Sequence, residues 1–264
     1  MTDKIQTSLR DSAAMRWTAL LLLSLAMFCA YIFVDILSPI KELMQEQRGW
    51  DSTAFGTMQG SETFLNVFVF FLIFAGIILD KMGVRFTAIL SGAVMLAGAL
   101  IKYYAISDSF AGSALDVWFT NNLNHIPVFE QLGVSPFYQG MPASAKVAAC
   151  GFMIFGCGVE MAGITVSRGI VKWFKGREMA LAMGSEMALA RLGVATCMIF
   201  SPFFAKLGGD INVSRSVAFG VVLICIALMM FIVYFFMDKK LDSHQCDNSH
   251  SDVSVDSPDG SLPP

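Results

Sequence analysis

Gly76-Ile77-Ile78-Leu79-Asp80-Lys81-Met82-Gly83-Val84-Arg85 is the stretch that decides the fold. It is a short charged segment between two apolar runs, 64–79 before it and 86–101 after it. Asp80 and Lys81 place the segment in interfacial water. Gly83 opens backbone conformations closed to residues that carry a Cβ, and Arg85 begins the next run. With so little chain between two long apolar runs, the spacing predicts a tight hairpin between membrane helices.

The composition around this hairpin agrees with it. Of 264 residues, 55% are hydrophobic and only 15% charged, and the mean hydropathy is +0.62. A soluble domain carries roughly a quarter charged residues. A bilayer crossing takes about 20 mainly apolar residues, and the sequence offers such runs at 17–39, 56–79, 86–106, 147–167, 179–204 and 215–237. Only helices and closed barrels satisfy the backbone in lipid. The runs do not alternate and are too long for barrel strands, so the expected fold is an all-α integral membrane protein with six transmembrane helices. The first run is too long for the apolar core of a signal peptide and is followed by no cleavage site.

Residues 1–16 then form an N-terminal segment, 17–237 the transmembrane domain, and 238–264 a tail. Asp242, Asp247, Asp252, Asp256 and Asp259 make that tail acidic against a net charge of −3, and with almost nothing to bury it is expected to be disordered. The six cysteines show no metal or disulfide spacing and are expected to be small apolar fillers. No metal, cofactor or nucleic-acid partner is expected. No nucleophile with its base and no phosphate-binding loop stands in the sequence, so an enzyme is not expected either.

Six spans put both termini on one side. That side carries Lys4, Arg10, Arg16, Lys81, Arg85, Arg168, Lys172, Lys175, Arg177, Lys239 and Lys240; the other carries Lys41, Arg48, Lys102, Lys146, Lys206 and Arg215. The excess of cations predicts cytoplasmic termini. The loop 108–145 is then external. With Trp118, Phe119, His125, Pro127, Phe129, Pro136 and Phe137 it is either a partly ordered connector or a lid over a solute path.

Charges inside the spans carry the functional signal, because an ionised side chain at mid-bilayer costs about 2.5–3.5 kcal/mol on insertion scales. Arg191 stands near the middle of the fifth span and keeps its proton in any protein environment. Glu160 stands in the fourth, within Gly156-Cys157-Gly158-Val159-Glu160. Two readings are open: the pair neutralise each other, or Glu160 holds the ammonium and Arg191 the carboxylate of a zwitterionic solute. Glu186 is expected to pair with Arg168 or Lys172. Gln59, Glu62 and Asn66 form one stripe on the second span, either lining an aqueous path or hydrated near its end. Asp35, four residues after Tyr31, either caps its helix or lines the cavity.

The segment 76–85 resembles the signature loop of the major facilitator superfamily, G-x-x-x-D-(R/K)-x-G-x-(R/K), and lies where that family places it, between the second and third spans. Trp173-Phe174-Lys175-Gly176-Arg177-Glu178, Ala190-Arg191-Leu192-Gly193 and the span-four motif ending in Glu160 are similar to the lysosomal dipeptide-transporter branch, typified by major facilitator superfamily domain-containing protein 1 and its bacterial relatives. The resemblance covers 16–237, the first half of the family's twelve spans, and implies one half of a major facilitator fold. It implies that Glu160 and Arg191 grip the two ends of a dipeptide. Tyr31 and Asp35 match a Tyr…Asp pair in the first span, where Val34 replaces an aromatic residue. It further implies that Gly76, Asp80, Lys81, Gly83 and Arg85 form a gating loop, latching this half to a second one. Alternating access requires that second six-helix half, from a homodimer, a separate chain or a longer parent. The host membrane would be a bacterial inner membrane or a lysosomal one. The alternatives are a non-transporting half or truncated product acting as an assembly partner, and a carrier of another small organic anion.

Overall fold

The computed structural model describes residues 12–122, 137–176 and 178–253, with side chains as far as residue 242. Among these residues the regular structure is entirely helical. Helix α1 spans Ala13–Val34, and a 3-10 turn at Ser38–Ile40 leads into α2, Lys41–Arg48. Then follow α3 (Ser52–Phe68), α4 (Phe71–Ile106), α5 (Ala114–Asn122), α6 (Ala143–Phe174), α7 (Met179–Ala205) and α8 (Val213–Val253). Local chemistry sets several ends. Gly49 closes α2 in the left-handed region at φ 68°. Asp51 caps α3, its carboxylate accepting from the Ala54 amide at 2.7 Å.

Among the described residues, five stretches are long and apolar enough to cross a membrane: Ala13–Arg48, Phe71–Ile106, Ala143–Phe174, Met179–Ala205 and Val213–Asp242. The expected second span, 56–79, departs from the sequence reading because it is not one helix. Helix α3 stops at Phe68, Phe70 turns the backbone to φ 54°, ψ 36°, and α4 resumes at Phe71. No glycine or proline stands at 67–72 to announce the break. In compensation, the charged segment 76–85 is mostly helical, interrupted only at Gly83. There φ 78° and ψ 167° define a conformation essentially reserved for glycine. The second and third expected spans thus share α4.

At the other end of the chain, α8 continues past residue 237, where the sequence reading ends the span, to Val253. Residues 254–264 lie outside the described residues. In the loop 108–145, α5 forms an exposed short helix; His125, Pro127, Phe129 and Pro136 lie outside the described residues, so neither reading of that loop is decided.

Helix α6 is the axis of the bundle, buried along most of its length. It packs most extensively on α4, and small residues allow the approach. A Cβ at Gly98 would run into the Phe155 amide and the Gly151 carbonyl, and one at Gly158 would meet Met95. Phe33, Phe152, Phe155, Trp173, Phe174, Phe231 and Tyr234 fill the space among α1, α6 and α8. Helix α7 covers α1 on one side only, with Gly193 against the Phe28 carbonyl. Its outer face, including Met187, Leu192, Ile199 and Phe203, is exposed.

Candidate functional site

Two groups of charges stand at different depths of the bundle. The first surrounds the segment 76–85. Asp80 is ion-paired with Arg168 on α6. Arg85 reaches Asp242 at 3.2 Å and Asp238 at 3.8 Å, and Lys172 lies 2.7 Å from each of those carboxylates. Asp238 is buried, 1% exposed, and also faces the Tyr234 hydroxyl, which donates to it at 3.4 Å. Three helices, α4, α6 and α8, are thereby tied at one end. The charges of this segment are thus paired within the chain, on α6 and α8. The expected pairing of Glu186 with Arg168 or Lys172 is not made: both cations are taken by aspartates.

The second group lies deeper and is built from α1, α3, α4, α6 and α7. Glycines on α6 fix its levels. Gly151 faces the Lys102 backbone on α4, and a Cβ at Gly156 would collide with the Glu62 carbonyl on α3. Glu160 follows one turn later, about 6 Å further along the axis at 1.5 Å per residue. Four residues rotate a helix by about 400°, so Glu160 stays on the face that meets α3. The charge of Glu160 acts on Glu62, as do those of Lys102 and Asp35.

Tyr31 is the meeting point of the α6 and α7 charges. The Arg191 guanidinium lies 5.5 Å from its ring centroid, a cation–π distance. Arg191, Glu160, Glu186 and Glu62 all act electrostatically on it. No ion pair joins Glu160 to Arg191 among the described residues, so the two have not neutralised each other. Asp35 is held at the end of α1. Ser38 donates to its carboxylate at 3.2 Å and Gln59 at 3.5 Å, while Gln59 also donates to the Val34 carbonyl at 3.1 Å. Its own carbonyl accepts from the Cys197 thiol at 3.6 Å. Asp35 therefore fastens α3 and α7 to α1 besides bordering the site. Asn66 is half-buried, and both its amide oxygen and its amide nitrogen are buried without a hydrogen-bond partner among the described residues. The structure thus gathers Tyr31, Asp35, Glu62, Glu160 and Arg191, with Asn66 one turn from Glu62 on α3.

The sequence reading missed Lys102. It counted Lys102 and Lys146 among interfacial cations on the far side, yet they are 0% and 1% exposed. Lys102 stands in the acidic group itself. The signal was there in outline: a lysine one turn before the end of an apolar run is either at the interface or folded back inward, and only the neighbouring helices decide which.

The family model for the Major Facilitator Superfamily matches residues 23–252. The chain belongs to the major facilitator superfamily. Searches of curated proteins and of solved structures returned no match. Superfamily membership makes the chain a multi-pass membrane protein of a secondary-transporter family, whose partners are the lipid bilayer and a small-molecule solute.

Opposite the Asp80 end, a smaller polar network ties the other helix ends. Arg48 on α2 lies 2.5 Å from Asp108 and 3.1 Å from the Ser214 hydroxyl, and Asn212 donates to Asp108 at 3.1 Å. The hydrogen bonds from Arg48 and then Asn212 hold the Asp108 carboxyl below the usual carboxylate range. Tyr138 donates to Asp51 at 3.1 Å. Burial pushes its phenol above the ordinary value, and the bond to Asp51 and the charge there add to the shift.

Proposed function

We propose that this chain is the solute-binding half of a transporter for small zwitterions, with short peptides as the leading class. In this reading Glu160 holds the solute's ammonium group and Arg191 its carboxylate. Tyr31 lies between them, and Asp35, Glu62 and Asn66 line the approach. The observation that carries it is the unpaired juxtaposition of Glu160 and Arg191 around Tyr31. A half-buried carboxylate and a guanidinium left apart within a membrane span are costly unless something of complementary charge enters between them. Arginine suits the carboxylate end because its planar fork makes two parallel bonds to a carboxylate. The motif likeness to the dipeptide-transporter branch supports the same choice of solute.

Alternating access in this fold works by rocking two halves around a central site. The exposure of Arg191 on α7 supports the need for a second six-helix half, supplied by another copy or another chain. The six-span count belongs to this proposal, with the broken pair α3 and the first part of α4 acting as the second span. So does the orientation with both termini in the cytoplasm. The same Arg191 would serve a carrier of a small organic anion, for which Glu160 would be an obstacle.

Uptake of labelled alanylalanine into proteoliposomes containing the chain tests the proposal. Saturable uptake that is lost in Glu160→Gln and in Arg191→Ala is the expected result. Uptake of an N-acetylated, purely anionic analogue in preference to the dipeptide would transfer the assignment to anion transport. Absence of uptake by a folded, monomeric chain would support the assembly-partner alternative.

A further inference from the structure

Lys102 is the group in the bundle that the proposed site leaves unexplained. It is fully buried on α4, and its ammonium makes no hydrogen bond among the described residues. Its Nζ sits 3.4 Å from the ring centroid of Phe152 on α6 and 5.1 Å from that of Phe33 on α1. Aromatic faces attract a cation, more strongly where water is excluded, yet they are a poorer partner than a carboxylate. Two carboxylates are near enough for their charge to act on Lys102: Glu62 on α3 foremost, and Asp35 beyond α1. On Glu62 the charges of Lys102, Glu160 and Asp35 act in turn. The lysine backbone is pinned, because Gly151 brings α6 hard against its amide. Its four-carbon stem is flexible, so the head is the part free to move.

We propose that Lys102 is a tethered cation for the site's carboxylates, competing with the ammonium group of the solute for Glu62. On the aromatic shelf of Phe152 and Phe33 it leaves Glu62, which lines the approach, free to receive the solute's amine on its way to Glu160. Swung toward Glu62, it closes that carboxylate off and neutralises it while no solute is held. The tether thus keeps a buried carboxylate from standing uncompensated, and it sets the strength with which an amine is gripped and released. This makes Lys102 a specificity-determining residue rather than a core filler. The inference rests on the zwitterion reading for the identity of the competing amine, while the coupling of Lys102 to Glu62 stands apart from it.

The test uses the full chain purified in detergent, as wild type and as Lys102→Met, Glu62→Gln and the double variant. Thermal unfolding without solute is measured first. The expected result is non-additivity: the loss of Tm in Lys102→Met is recovered in large part when Glu62→Gln is added, because removing both charges leaves neither unpaired. Strictly additive shifts would overturn the coupling. Binding of labelled alanylalanine is measured second. Lys102→Met, freed of the internal competitor, binds it about tenfold more tightly than wild type, whereas binding of N-acetylated alanylalanine is unchanged. Equal or weaker binding of alanylalanine by a folded Lys102→Met, with wild-type binding intact, overturns the competition and spares the zwitterion reading. If wild type binds no alanylalanine, that reading falls and the competition falls with it, and the Tm cycle alone decides whether Lys102 and Glu62 are coupled.

Discussion

Around Asp80 the charges of this protein are joined: Asp80 to Arg168, and Arg85 and Lys172 to Asp238 and Asp242. Around Tyr31 they are gathered but not joined, since Glu62, Lys102, Glu160 and Arg191 share a neighbourhood without an ion pair among the described residues. Both groups draw on α4 and α6, so one helix pair carries joined charges at one level and unjoined charges at another. A charge placed to hold helices together is stabilised by its partner in the protein. A charge placed to hold a solute is left with its partner still to come, at a standing cost in stability. The comparison separates the charges tied into the architecture from those on which the proposed transport role rests.

Four experiments break or sharpen it. The largest effect is expected at Asp238, the buried anion shared by Arg85 and Lys172. Asp238→Asn removes the buried one of the two carboxylates that Arg85 and Lys172 share, leaving Asp242 alone between them, and costs about 3 kcal/mol of stability, read as a fall in Tm in detergent. A change within error would mean that the ties near Asp80 do not hold the helices. Next comes Gly156, where the α3 backbone lies against α6. Gly156→Ala pushes the Glu62 carbonyl away and costs about 2 kcal/mol by overpacking. It should also lower dipeptide uptake by displacing Glu62 relative to Glu160; unaltered Tm and uptake would show that the close approach is dispensable.

Arg191→Lys keeps the positive charge but loses the planar fork. On the zwitterion reading uptake drops about tenfold, the equivalent of about 1.4 kcal/mol, while Tm moves far less than in Asp238→Asn. Were Tm to fall as much, Arg191 would belong with the architectural charges and the contrast would collapse. The smallest effect is at Asp108. Its carboxyl is held below its ordinary value by Arg48 and Asn212, so its contribution is fully present above the ordinary carboxylate range and is lost as pH falls through the lowered value. The carboxylate is largely exposed, and an exposed pair contributes little. Wild type and Asp108→Asn should therefore have nearly the same Tm in strong acid and separate slightly toward neutral pH. A gap that widened on acidification would reverse the assignment.

Much of the architecture was legible because lipid imposes a simple rule: long apolar runs must be helices. Gly83 was legible too, since only a glycine adopts φ 78°, ψ 167° with ease. The break at Phe70 was not, because it lies in an unbroken apolar run where nothing local favours a left-handed residue. The continuation of α8 past residue 237 was not legible for a related reason. Asp238 reads as the start of a solvated tail, yet Arg85 and Lys172, distant in sequence, make its burial tolerable. For the site, Glu160 and Arg191 were legible as charges that cost too much to be idle. Lys102 was not, because a lysine near a helix end has two possible directions and its own sequence does not choose between them.

The sequence by itself determined that this is a helical membrane protein, that the segment 76–85 bends at Gly83, and that Glu160 and Arg191 are the charges to watch. Those conclusions follow from hydrophobicity, glycine's freedom and the expense of ionised groups in lipid, all properties of residues and short windows. Only the tertiary structure decided that Asp80 is tied to Arg168, that Asp238 is shared by two cations, and that Glu160 and Arg191 meet Tyr31 unpaired. It alone turned Lys102 inward onto Phe152. Pairing is a relation between helices distant in the chain, and it depends on where small residues such as Gly151 and Gly156 let those helices approach.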